Sequence, residues 1–106
     1  MQNELKKLIE IAIEKDSIAN CRQVYDCLTD YLCDNNCNLN FYSRKPCMFE
    51  SYGTILNFEE IDRAFLDFDK RHLDLIVKVL NYFAYTPLAL VLGSYLRGKL
   101  QLSTKP

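Results

Sequence analysis

The sequence predicts an all-α fold, a compact bundle of about five helices. Only three glycines and three prolines occur in 106 residues, which is sparse for a barrel or sandwich with a turn about every ten residues. Apolar residues also recur at spacings of three and four along most of the chain, as in amphipathic helices. A chain of this length can bury roughly two-thirds of its unfolded surface. Residues 1–106 are therefore expected to form a single helical domain.

Two amphipathic helices are predicted at the start of the chain. Asn3 can cap the first helix, which is expected to run to about Lys15. Residues 16–17 then read as a break and a new cap, and the second helix covers residues 18–32 or slightly more. The side chains expected to face inward from these two helices are Leu5, Leu8, Ala12, Ile18, Cys21, Tyr25, Leu28 and Leu32, and Ile9 and Ile13 widen the stripe of the first helix.

Residues 38–53 form the least regular part of the sequence. Arg44-Lys45-Pro46 indicates a turn, and aromatic residues lie on both sides of it. A long structured loop is predicted, with a small hairpin as the alternative. Long loops without regular structure often carry function, so Tyr42, Phe49 and Tyr52 are candidate aromatic anchors for a partner.

A third helical region opens at Asn57, with Glu60 three residues later as in a capping box. Apolar residues then keep the same helical spacing, and no glycine or proline interrupts the chain before Pro87. One helix of about 28 residues would be roughly 42 Å long, whereas a domain of this size is about 35 Å across. A break near residues 69–71 is therefore favoured over a single helix. The part after it is expected to be apolar on nearly all sides and to form the central buried helix. The predicted core residues of this region are Phe58, Ile61, Phe65, Phe68, Leu75, Ile76, Val79, Leu80 and Phe83.

The last helix is expected to follow Thr86 and to end near Arg97, with Gly98 as its C-terminal cap. Residues 79–96 carry no charge over 18 positions, which is at the lower limit for a membrane span. Thr86 followed by Pro87 is a helix-start signal that divides this run. Two buried helices are therefore predicted, and no membrane association.

Three of the five cysteines lie between Tyr25 and Cys37. Zinc sites usually bring cysteines together in closely spaced pairs, but the chain has no CxxC and Cys27 points about 120° away from Cys33 on a helix. We therefore predict free thiols, no metal and no cofactor. If a metal were bound, its ligands would be sought among Cys33, Cys37, Cys47 and His72. The charged N-terminus does not resemble a signal peptide, so a cytoplasmic protein is expected.

Acidic residues are concentrated in the middle of the chain. Residues 16–69 contain ten acids and four bases, a net charge of −6, while residues 70–106 have a net charge of +5. On the second helix, Asp26, Asp30 and Asp34 recur every four residues and form one outward stripe. The next helical region adds Glu59, Asp62 and Asp67. A solvated face is one interpretation of this pattern, and a binding surface for a basic protein is the other.

The motifs of several functional classes are absent from the sequence. Its one histidine, His72, falls in phase with an apolar stripe and is expected to be a packed or junction residue. The sequence has no Ser-His-Asp grouping, no GxSxG, no HExxH and no Gly-rich phosphate loop, so an enzyme is not expected. The net charge of −1 and the lack of a recognition helix disfavour nucleic-acid binding. A protein-binding module is therefore the functional class that the sequence favours.

The favoured function is an inhibitor or immunity-type protein that neutralises a basic toxin or nuclease through the acidic face. Such proteins cover a nucleic-acid-binding surface with carboxylates and use aromatic anchors at the centre of the interface. One alternative is a regulatory or effector protein that binds a host factor. Another is a helical adaptor that self-associates, as a homodimer, through its apolar C-terminal helices.

Overall fold

The computed structural model describes residues 2–35, 37, 56–83 and 87–104. Within these ranges the chain forms five α-helices packed around one apolar core, and the predicted all-α bundle is confirmed. The loop predicted for residues 38–53 lies outside the described residues. The helices are α1 (Gln2–Glu14), α2 (Ile18–Asp34), α3 (Phe58–Ala64), α4 (Lys70–Tyr82) and α5 (Pro87–Thr104).

The caps predicted for the second and third helices are present. Ser17 accepts a hydrogen bond at its Oγ from the Asn20 N–H at 3.1 Å, and Asn57 accepts one at its Oδ1 from the Glu60 N–H at 3.4 Å. Each bond satisfies a backbone donor that the first turn of a helix leaves unpaired. The first helix differs from the prediction because it already begins at Gln2, which places Asn3 inside the helix.

The predicted core of the third and fourth helices is confirmed except at one position. Phe58 is 42% exposed, whereas the other eight residues of that set are buried. Phe58 is the first residue of α3, where its side chain reaches over the surface to the Tyr95 ring. Ile18, the first residue of α2, is likewise 74% exposed, so the buried stripe of that helix begins at Cys21. Ile13, in the last turn of α1, is also exposed. In each case the apolar spacing was extended to a helix end that the core does not cover.

A break divides the third helical region into α3 and α4 as predicted, but the connection is residues 65–69, which lies mostly before the predicted residues 69–71. Phe65 and Phe68 both point into the core from this turn, with their ring centroids 5.0 Å apart in an edge-on arrangement. The Tyr31 ring packs against both at 5.8 and 5.9 Å, and its hydroxyl donates a hydrogen bond to the Ala64 carbonyl. The aromatic residues that suggested one long helix therefore stabilise the turn between two.

The central position predicted for α4 is confirmed, because α4 contacts α1, α2 and α5. Its buried face carries Leu75, Ile76, Val79 and Leu80. The expectation that α4 is apolar on nearly all sides was wrong, since the helix also has an outer face on which Asp74, Lys78 and Tyr82 are exposed.

A buried histidine joins α4 to α1. His72 accepts a hydrogen bond at Nδ1 from the Asp69 N–H at 3.3 Å, so its proton is on Nε2, which lies 2.6 Å from Glu10 Oε1. The Arg71 guanidinium contacts the same carboxylate oxygen at 2.6 Å. The hydrogen bond from His72, together with the charge of Arg71, lowers the pKa of Glu10 below its usual value. His72 is thus a packed junction residue, as its phase in the sequence indicated.

We expect Glu10→Gln to destabilise the protein at neutral pH and to have little effect in acid. A carboxyl whose folded-state pKa is depressed contributes stability above its unfolded pKa, and this contribution is lost as the pH falls through the folded value. Urea unfolding of both proteins at pH 7 and at about pH 3 tests the expectation. Glu14→Gln, on an exposed position of the same helix, is the control and should have no effect at either pH. An equal loss from Glu10→Gln at both pH values would contradict the expectation.

The last helix is longer than predicted and continues through Gly98 to Thr104. The expectation that Gly98 caps the helix was therefore wrong. Gly98 is exposed, and a Cβ atom added to it would meet no atom within 4 Å. None of the described helices, this one included, combines the length and apolar character needed to cross a membrane.

Gly98→Ala is expected to raise the free energy of unfolding by about 0.5–1 kcal/mol, because alanine favours an exposed helix interior over glycine by this amount. Chemical denaturation measures the change. Gly93→Ala is the buried comparison on the same helix, and there the new Cβ would lie 3.8 Å from Leu80 Cβ, an ordinary contact. A loss of stability at Gly98 would indicate that the helix ends there in a left-handed cap.

Candidate functional site

The three aspartates of the predicted acidic stripe are all exposed on α2. Asp26 forms an ion pair with Arg22 one turn earlier, at 3.4 Å, and both side chains are largely exposed. Asp30 and Asp34 have no cationic partner among the residues that the structure describes. Because only one of the three aspartates is paired in the described residues, the stripe keeps most of its negative charge.

A groove of about 290 Å³ runs between α1 and α2 beside this stripe. Its walls contain three carboxylates, because Glu4 of α1 stands across from Asp26 and Asp30. The remaining lining is Leu8, Gln23 and Cys27. We call Glu4, Asp26, Asp30 and Asp34 the α1–α2 acidic surface. Glu4 was not among the predicted site residues, because its approach to α2 depends on how the two helices pack.

The thiols beside the α1–α2 acidic surface are poor nucleophiles. Burial raises the pKa of Cys27, and the charges of Glu4 and Asp30 raise it further. Burial likewise raises the pKa of Cys33, assisted by Asp30 and Asp34. The thiolate is the reactive and metal-binding form, so both side chains stay protonated at neutral pH.

Four cysteines lie in the described part of the chain, and all four are free thiols. Cys37 is fully buried, and desolvation, with the nearby Glu60 charge, raises its pKa to about 12. Over residues 2–35, 37, 56–83 and 87–104, no three histidine, cysteine or acidic side chains come together as a metal site would require. Cys47, one of the conditional ligands, lies outside the described residues.

The acids predicted on the next helical region differ in their surroundings. Glu59 is exposed and has no cationic partner among the described residues. Asp62 is paired with Lys99 of α5 at 2.6 Å and accepts a hydrogen bond from the Tyr95 hydroxyl at 2.6 Å. Partial desolvation raises the pKa of Asp62, but these hydrogen bonds outweigh it and hold the pKa below its usual value. Asp67 is exposed, and its backbone carbonyl accepts a hydrogen bond from Lys6.

The predicted acids therefore fall on two separate parts of the surface. Asp26 and Asp30 line the groove between α1 and α2, whereas Asp62 lines another groove between α3 and α5. The charge of Asp62 is already paired inside the protein. The predicted aromatic anchors Tyr42, Phe49 and Tyr52 lie outside the described residues.

The second groove is larger, about 530 Å³, and mostly apolar. It lies between α3, the turn that follows it, and the C-terminal half of α5, and we call it the α3–α5 groove. The Asp62–Lys99 ion pair stands in its wall. Its principal apolar side chains are Ile61, Phe65, Leu66, Leu73, Leu96 and Leu100. The sequence did not indicate this groove, because the spacing of apolar residues within each helix does not show where two packed helices diverge.

Two surfaces thus stand out on the described part of the molecule, one acidic and one apolar. No family model, curated protein or solved structure matches the chain.

Proposed function

We propose that the protein is a protein-binding module whose α1–α2 acidic surface engages a basic surface on another protein. The observation that carries the proposal is the exposure of Asp30 and Asp34, one turn apart, without a cationic partner in the described residues. Like charges at this spacing repel and weaken a helix. The arrangement does not stabilise the fold, but it is complementary to a partner surface that carries lysine and arginine.

The groove beside the aspartates supports the same partner. Leu8 and the half-buried Cys27 provide an apolar floor, and Glu4 and Asp30 provide carboxylates above it. Lysine and arginine place an aliphatic stem on apolar surface and keep the charged group at the polar edge. The groove therefore suits a basic side chain better than an acidic or purely apolar one.

The most specific form of the proposal is an inhibitor or immunity-type protein that neutralises a basic toxin or nuclease. A nucleic-acid-binding surface is basic because it must neutralise phosphates. A row of carboxylates can occupy the same surface and compete with nucleic acid. A regulatory or effector protein that binds a basic host factor would use the same surface, and the identity of the captured partner separates these two forms.

The proposal includes no catalytic step. The thiols near the α1–α2 acidic surface are held protonated by burial and by the surrounding carboxylates. His72 is buried, and both of its ring nitrogens are engaged by Asp69 and Glu10. Neither residue type is arranged here as an activated nucleophile or a general base.

Affinity capture with three matched baits tests the proposal. The wild-type chain, Asp30→Lys/Asp34→Lys and Glu14→Lys/Asp74→Lys are immobilised and exposed to a lysate of the cells that produce the protein. The two double variants change net charge equally, but Glu14 and Asp74 lie outside the α1–α2 acidic surface. We expect a basic protein to be retained by the wild type and by the Glu14/Asp74 variant, and lost from the Asp30/Asp34 variant. Equal retention by all three baits would contradict the proposal.

Self-association is a second candidate, supported by one observation. Leu90 and Val91 are 56% and 36% exposed side by side on α5, and apolar neighbours on an outer helix face can pair with a second copy. Sedimentation velocity of the purified chain tests it. A dimer that Leu90→Glu converts to a monomer would support the adaptor function, and a wild-type monomer would exclude it.

A further inference from the structure

We infer that residues 58–63 open as a unit while the other four helices stay folded, and that the contacts of Asp62 with α5 hold these residues closed. We call residues 58–63 the α3 segment. The inference is independent of the proposed function, because none of the contacts that carry it involves the α1–α2 acidic surface.

The α3 segment is less closely packed than the rest of the fold. In the described part of the chain, α1, α2, α4 and α5 each pack against at least one other helix, whereas α3 packs closely along none of them. Of residues 58–63, only Ile61 is buried, while α4 buries side chains along its whole length. Few buried apolar contacts and low local packing are the features of segments that open separately from the rest of a protein.

Side chains at the surface join the α3 segment to α5. Phe58 stacks on the Tyr95 ring with centroids 4.3 Å apart, and Asp62 accepts a hydrogen bond from the Tyr95 hydroxyl at 2.6 Å. Asp62 also pairs with Lys99 at 2.6 Å, and these two side chains are 43% and 46% exposed. Exposed ion pairs are individually weak. Beside these contacts the two helices diverge around the α3–α5 groove of about 530 Å³, so surface contacts replace a packed interface.

Both ends of the α3 segment are fixed to α2 and the residue that follows it. Before the segment, the Asn57 N–H donates a hydrogen bond to the carbonyl of the fully buried Cys37 at 2.8 Å. After it, the Tyr31 hydroxyl donates a hydrogen bond to the Ala64 carbonyl, and Phe65 is buried against the Tyr31 ring. The segment can therefore move between two fixed points without displacing the core residues at either end.

Opening of the α3 segment changes the surface of α5. It separates Asp62 from Tyr95 and Lys99, withdraws Ile61 from the core and removes one wall of the α3–α5 groove. Leu96, which lines the groove from α5, then becomes accessible to solvent. The conformational entropy gained by the freed backbone offsets part of the lost burial of one aliphatic side chain, so this opening costs much less free energy than global unfolding.

Native-state hydrogen exchange measured by NMR, at urea concentrations below the unfolding transition, tests the inference. The Ile61 and Phe65 N–H groups report on the segment, because they donate to the Asn57 and Ile61 carbonyls at 3.0 and 3.1 Å. The Ile76 and Leu80 N–H groups report on α4. We expect exchange in the segment to be faster and almost independent of urea, since a local opening exposes little surface, and exchange in α4 to accelerate strongly with urea.

Two substitutions separate local from global opening. Val79→Ala, at a buried position of α4, should accelerate exchange in α4 at least about tenfold and leave Ile61 and Phe65 unchanged, because α4 stays folded when the segment opens. Asp62→Asn should accelerate exchange of Ile61 and Phe65 at least about threefold. Asp67→Asn removes an exposed acid from the turn that follows α3 and should have little effect on either.

The inference is overturned if the α3 segment shows the same urea dependence as α4, or the same acceleration by Val79→Ala, because α3 would then open only with the whole bundle. Exchange of Ile61 and Phe65 that Asp62→Asn leaves unchanged, or that Asp67→Asn accelerates equally, would show that the contacts of Asp62 do not hold the segment closed. If Val79→Ala does not fold, the urea dependence of the wild type decides between local and global opening by itself.

Discussion

Phe65→Ala is expected to lower the free energy of unfolding by about 3–5 kcal/mol, the usual cost of truncating a buried phenylalanine. Phe65 is only 6% exposed, and its ring packs against those of Tyr31 and Phe68. Aromatic pairs of this kind add about 0.5–1.5 kcal/mol beyond the buried area. The loss would be a large part of the roughly 5–15 kcal/mol that stabilises a typical domain.

Leu66→Ala is the matched control for this prediction. Leu66 is the next residue of the same turn but is 79% exposed, so its truncation should change stability by less than about 0.5 kcal/mol. Urea denaturation of the two variants and the wild type provides the comparison. Similar losses from both substitutions would show that the turn between α3 and α4 does not bury Phe65 as described.

Much of the fold could be predicted from the sequence because the apolar spacing and the caps agree. Ser17 and Asn57 each precede an apolar run, and each caps the helix that follows. The break between α3 and α4 followed from a length argument, since one helix would be longer than the domain. The spacing of Phe65 and Phe68 alone would not have revealed that break. Two aromatic residues three positions apart can both point into the core from a turn as well as from a helix.

Several of the errors in the fold concern where a helix begins or ends. Gly98 resembles a cap in sequence, yet α5 passes through it because nothing in a lone exposed glycine obliges a helix to end. Its cost of about 1 kcal/mol is small beside the burial of Leu92 and Leu96 on the same helix. Phe58 was assigned to the core by phase, but it sits at the start of α3 and stacks on Tyr95 at the surface.

The candidate site was less accessible to sequence reasoning because it depends on how helices pack. The outward position of Asp30 and Asp34 followed from helical spacing. The approach of Glu4 to Asp30, and the pairing of Asp62 with Lys99, required the positions of α1 and α5. The spacing of residues along one helix does not show which charged side chains of another helix will lie next to it. The α3–α5 groove was missed for the same reason.

Charge reversal on α2 is expected to produce the largest functional effect. Asp30→Lys/Asp34→Lys should leave the fold intact, because both side chains are exposed and neither is paired among the described residues. The variant should bind the captured partner at least about tenfold more slowly at low salt, since steering by complementary charge accelerates association about 10–10³-fold. Stopped-flow or surface-based kinetics measures the rate constant. The Glu14→Lys/Asp74→Lys variant has the same net charge and should keep a rate close to that of the wild type.

The most direct test of the acidic binding surface is the association rate constant of wild-type protein and purified partner, measured over a range of ionic strength. The rate for the wild type is predicted to fall steeply as salt screens the two surfaces. The rate for Asp30→Lys/Asp34→Lys is predicted to start lower and to show a much weaker dependence on salt. Coincident salt dependences for the two proteins would contradict the account and identify the aspartate stripe as a solvated helix face.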